Sequence, residues 1–75
     1  MTPHRSRTPW VNGEPLDGVA LPYNCRVQII GGPLAGQTGW LVAVGEIGVD
    51  PLYTVELESR EPDAEVRQSM LRRTA

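Results

Sequence analysis

The hydrophobic and polar positions divide this chain at about residue 22, with period-two alternation after that point and none before it. From Cys25 onward Val27 and Ile29 alternate with Arg26 and Gln28, the pattern of a strand with one face buried. Gly31-Gly32-Pro33 ends that run. A second, nearly all-apolar run follows from Gly39 to Val44, and Gly45 to Pro51 makes a glycine-containing loop. Leu52 to Glu58 alternates cleanly, with Tyr53, Val55 and Leu57 on one side and Thr54, Glu56 and Glu58 on the other. A polar turn through Pro62 leads to a short strand over Ala64 to Arg67. Gln68-Ser69-Met70 fits one turn of 3-10 helix, which occurs in such short pieces, and Leu71-Arg72-Arg73 closes as a fifth strand. Leu41 and Val44 stand three apart, so strict alternation cannot bury both. The pattern therefore predicts a bulge or sharp bend between them.

Residues 1–21 carry no sustained period. Pro3, Pro9 and Pro15 recur, with Pro22 just beyond, and Gly13 and Gly18 interrupt. They are expected to form a flexible, Pro/Gly-rich N-terminal arm, tethered from Trp10 onward, ahead of a folded domain over residues 22–75. Asn12-Gly13 is a turn signal, but Pro15 follows too soon for a second strand. Trp10 is expected to fold back over the core, because covering an apolar ring gains about 25 cal/mol per Å². Five short strands with tight turns and no long helix predict an all-β fold, a small and strongly bent barrel. Closure would also remove the exposed edges of an open five-stranded sheet.

The stretch from Val27 to Val44, VQIIGGPLAGQTGWLVAV, resembles a KOW motif, the strand–loop–strand unit of SH3-like barrels in transcription elongation factors and certain ribosomal proteins. Val27 and Ile29 match its first strand, Gly32-Pro33 opens the loop, Gly36 and Gly39 lie within it, and Leu41 and Val44 match its second strand. The glycines suit a loop that reverses the chain sharply and lets backbones approach closely. The remainder, YTVELES and DAEVRQSMLRR, resembles the back half of SH3-like barrels in general, including small accessory subunits of photosynthetic and redox complexes. The resemblance covers about Asn24 to Arg73. It implies a five-stranded SH3-like barrel with a 3-10 turn before the last strand. It also implies a module that binds a macromolecule. The loops of RNA-binding relatives commonly carry Lys or Arg near the glycines, whereas Ala35, Gln37 and Thr38 are neutral here.

Size and charge narrow the function. A chain of 75 residues makes at most one domain. Domains this small bury only about 60% of the surface their unfolded chain exposes. With 40% hydrophobic residues and no Phe, the core rests on Val, Leu, Ile and a few rings. A deep catalytic cleft is not expected. The net charge is −2, all seven basic residues are Arg, and the charges are segregated. Between Glu46 and Glu65 seven carboxylates stand against Arg60 alone. Such an acidic stretch repels a polyanion, and a nucleic-acid module usually shows a basic stripe instead. Cys25 is the one cysteine, which leaves no internal disulfide and fits a reducing compartment. No run reaches the ~20 apolar residues of a membrane span, and the N-terminus lacks the apolar segment of a secretory signal. A cytoplasmic protein is expected.

The candidate site residues follow from these patterns. Trp40 stands where the motif is often polar, so it is expected on the surface, able to anchor a protein or stack on a base. Leu34 lies beside Pro33 at the loop tip, where water is expected, and with Gln37 and Thr38 it completes a docking edge. The alternative for Trp40 is that it covers the barrel end or packs under the N-terminal arm. Arg5, Arg7, Arg26, Arg72 and Arg73 are the candidates for phosphate contacts, with Arg26, Arg72 and Arg73 gathering if the first and last strands pair. Neutralisation by Glu56 or Glu58 is the competing outcome. A lone Cys25 makes no zinc site, and His4, the single histidine, stands apart from Ser59 and Ser69. No metal, cofactor or small-molecule substrate is expected. The reading is a non-enzymatic module that docks a protein partner through the KOW-like hairpin edge. The alternatives are RNA- or ribosome-associated binding, and an accessory subunit of a redox or hydration enzyme.

Overall fold

In a computed structural model the structure describes residues 8–74, with side chains from Trp10 onward. The fold is all-β apart from one helical turn, α1 (Thr8–Val11). Five strands follow, β1 (Arg26–Ile29), β2 (Thr38–Val44), β3 (Leu52–Leu57), β4 (Ala64–Arg67) and β5 (Leu71–Arg73). A 3-10 turn, η1 (Gln68–Met70), joins the last two. All pairings are antiparallel, in the order β4-β3-β2-β1-β5. The expected strands and 3-10 turn therefore form, with end shifts of a residue.

The two edge strands, β4 and β5, are joined by only the three residues of η1. In a flat sheet four strand spacings of about 4.8 Å would set them roughly 19 Å apart. A 3-10 turn rises only about 2 Å per residue. The sheet is therefore strongly curled, although β4 and β5 are not hydrogen-bonded to each other. Part of the curl comes from β2. Its register against β3 shifts between Leu41 and Ala43, so Val42 is the extra residue of a bulge. The bulge restores the inward direction at Val44, and Leu41 and Val44 are both buried.

The core lies on the concave face, where Val27, Ile29, Leu41, Val44, Tyr53, Val55, Leu57, Val66 and Leu71 meet Trp10. Trp10 is only 2% exposed. Its ring packs edge-on to Tyr23 with centroids 5.4 Å apart, and tilts against Tyr53 at 6.2 Å. Its Nε1–H donates to Leu21 O at 2.8 Å, satisfying the polar tip of an otherwise apolar side chain. The segment behind it turns at Asn12-Gly13, where Gly13 N donates to Trp10 O. It turns again at Asp17-Gly18, between the bridged Leu16 and Val19. Gln68 ties this segment to the sheet: its Oε1 accepts from Ala20 N at 2.8 Å and from the Tyr53 hydroxyl at 2.5 Å. Among the described residues no helix is long and apolar enough to cross a membrane.

Candidate functional site

The hairpin β1–β2 carries most of the candidate residues. Its loop is closed at the base by Gly36 N donating to Ile29 O at 2.7 Å and Ile29 N donating to Gln37 O at 2.8 Å. Two tight turns fill it, with Ala35 N on Gly32 O and Gln37 N on Leu34 O. Gly32 and Gly36 hold φ of 81° and 97°, a left-handed backbone that side chains disfavour. Pro33 lies exposed at the first of these turns. Leu34 is half-buried and packs against the core, so it is less of a bare tip than its position suggests. Gln37 and Thr38 are also half-buried, and Gln37 Oε1 accepts from the Ser59 hydroxyl at 3.1 Å.

On the convex face the register sets three side chains in a row, Arg26 opposite Trp40 and Trp40 opposite Glu56. Trp40 is 37% exposed, the one aromatic ring on this polar face of the central strand. Arg26 Nε bonds Glu58 Oε2 at 2.5 Å. That bond, helped by Thr38, holds the Glu58 carboxyl below the usual carboxylate range, and Glu58 raises Arg26 in return. Trp40 thus stands between Arg26, which is paired with Glu58, and the carboxylate of Glu56.

Of the three candidate arginines on β1 and β5, Arg26 and Arg72 share the convex face and Arg73 turns to the other. Strands β1 and β5 do pair, but neighbours on a strand point to opposite faces. Arg72 lies opposite Gln28 and donates to its Oε1, whereas Arg73 lies opposite Val27 and lines a hollow beside Trp10 and Leu21. Arg26 is neutralised, though by Glu58 and not by its row neighbour Glu56. Arg5 and Arg7, like His4, lie outside the described residues.

Two features escaped the sequence pattern. Arg67 bonds Asp50 O at 3.1 Å and Glu46 Oε1 at 3.0 Å, while both Asp50 carboxylate oxygens accept from Ser69, so the loop after β2 is strapped to η1. Hydrogen bonds from the Ser69 hydroxyl and N–H hold the Asp50 carboxyl below its ordinary value. The second feature is a hollow of about 260 Å³ between the hairpin loop and β4. Ile29, Pro33, Leu34, Val66 and Met70 line it. Met70 and Ile30 beside it are 42% and 50% exposed, making an apolar patch at the sheet edge. Only the residues after β3 could have hinted at it, through the exposed Met70.

Burial pushes the Cys25 thiol up, against a downward pull from Arg73, so it stays protonated near neutral pH. Among the described residues no three His, Cys, Asp or Glu side chains are placed to hold a metal. No protein-family model matches the chain, and no match was found among curated proteins or solved structures.

Proposed function

We propose that this chain is an SH3-like barrel of KOW type that works without catalysis, docking a protein partner through its hairpin edge. One observation carries the reading: Trp40 holds its ring partly in water at the centre of the convex face, in a row with Arg26 and Glu56. Trp is among the side chains that most often dominate a protein interface, at about 2 kcal/mol or more each. Arg26, paired with Glu58, and the carboxylate of Glu56 supply polar contacts at a rim without a field that selects polyanions. The three-residue step between the edge strands and the bulge at Val42 support the barrel, since both bend a sheet toward closure. The neutral loop and the acidic third strand favour protein over RNA. A cytoplasmic setting goes with the unpaired Cys25.

The test is affinity capture from cells that make the protein, read by mass spectrometry, with wild type beside Trp40→Ala and Leu34→Ser. Wild type is expected to retain a defined protein that Trp40→Ala loses while keeping a native circular dichroism spectrum. Equal capture by both would remove Trp40 from the site. Capture of a metal-containing enzyme subunit would turn the reading toward an accessory role in that complex.

A further inference from the structure

The free edge of β4 offers more than an open backbone. Its pairing to β3 sets Val66 opposite Tyr53 and Ala64 opposite Val55, and Gln68 N continues that ladder by donating to Pro51 O at 2.8 Å. In an antiparallel ladder the bonded residues alternate, so the N–H and C=O groups of Glu65 and Arg67 turn away from β3. The Arg67 C=O stands at the head of η1, whose i→i+3 pattern engages it, so the edge offers the N–H and C=O of Glu65 and the N–H of Arg67. The hollow of about 260 Å³ opens beside this same edge, with apolar walls from Ile29, Leu34, Val66 and Met70. It has room for one or two aliphatic side chains. Beyond the edge the charge is acidic: Glu65 lies on β4, Glu61 and Asp63 just before it, and Arg67 is already engaged by Glu46.

We infer that β4 accepts an extended, basic segment of a partner protein as an added sixth strand. Main-chain bonds to the Glu65 N–H and C=O and to the Arg67 N–H supply the affinity, and alternate side chains supply the selectivity. Residues pointing toward the core side enter the hollow under Leu34 and must be aliphatic. Residues pointing outward meet Glu65 and must be Lys or Arg, since opposite charges on facing strands attract and like charges repel. The same rule disfavours a second copy of this chain, which would set one acidic edge against another. The inference rests on the protein-docking reading and gives it a partner chemistry. The hairpin loop contributes by overhanging the edge.

Arg67 allows a clean test. Its φ of −71° already suits proline, and its N–H points away from the ladder. Arg67→Pro therefore removes the edge donor, and Arg67→Ala removes the side chain alone. The probe is a synthetic peptide of alternating Lys and Val, with alternating Glu and Val and alternating Lys and Ser as controls, each titrated against the full chain by amide NMR. The Lys/Val peptide is expected to bind, shifting the Glu65 and Arg67 amides and slowing their hydrogen exchange. Affinity is expected to fall tenfold or more in Arg67→Pro and severalfold in Glu65→Lys, and to change less than twofold in Arg67→Ala. Any of four results overturns the inference: no binding by the Lys/Val peptide, equal binding by a control, equal binding by a natively folded Arg67→Pro, or concentration-dependent dimerisation through β4. If Arg67→Pro proves unfolded, Glu65→Lys decides alone. Because the peptide titration does not use Trp40, it can fail while the capture experiment succeeds, and the reverse.

Discussion

Gly39 needs no unusual backbone, yet no other residue fits there. A Cβ at this position would overlap Glu56 O and lie 2.9 Å from Val55 Cγ1, because β2 and β3 approach closely where the sheet curls. Gly39→Ala should destabilise by about 1–3 kcal/mol, the usual cost of overpacking. Gly48→Ala, with nothing near its Cβ, is the matched control and should leave the urea midpoint nearly unchanged. Electrostatics at this scale gives a second prediction. The Glu58 and Asp50 carboxyls are both held below their ordinary values, the first by Arg26 and the second by Ser69. Their unfolded forms thus take up protons more readily than their folded forms. The stabilisation is present above the unfolded value near 4 and is lost as pH falls through and below it. The denaturation midpoint should drop between about pH 5 and pH 3, and Glu58→Gln should flatten part of that drop. A Glu58→Gln profile parallel to wild type would show that the Arg26 pair does not contribute.

Among the elements, the segment from α1 to Leu21 changes most between pattern and structure. Proline and glycine mark it as lacking a period, but one buried indole and the amide of Gln68 bind part of it to the sheet. Trp10→Ala should cost about 3–5 kcal/mol, as large-to-small core changes do. A core of this size rarely supplies more than roughly 3–5 kcal/mol in total, so the variant should lose its cooperative thermal transition. Val11→Ala, next along the chain but exposed, should behave as wild type. Equal melting of the two variants would mean that Trp10 adds nothing to the core. The bulge in β2 was legible beforehand, because Leu41 and Val44 share a chemistry that only an extra residue lets them bury together. The Leu16–Val19 bridge was not legible, because two residues around a glycine turn set up no repeat to read.

For the molecule as a whole, segregated charge becomes, among the described residues, a distribution with no basic stripe. Arg26 is committed to Glu58 and Arg67 to Glu46, and Arg72 and Arg73 face opposite ways. Each phosphate contact on a single strand would add about 0.7 to the slope of log affinity against log salt. A single-stranded RNA oligomer titrated at low and moderate salt should therefore show no salt-sensitive binding, and a steep slope would return the hairpin to RNA. The positions of the strands, the 3-10 turn and the bulge could be read along the chain, because a period of two and the residues that break it are local properties. Tertiary structure alone decided which arginines are spent, that Trp10 and Gln68 bind the first segment, and that β4 keeps a free edge beside an apolar hollow. Those outcomes depend on strand order and on partners as far apart as Ala20 and Gln68. No local pattern encodes which distant side chain will stand opposite another once the sheet has curled.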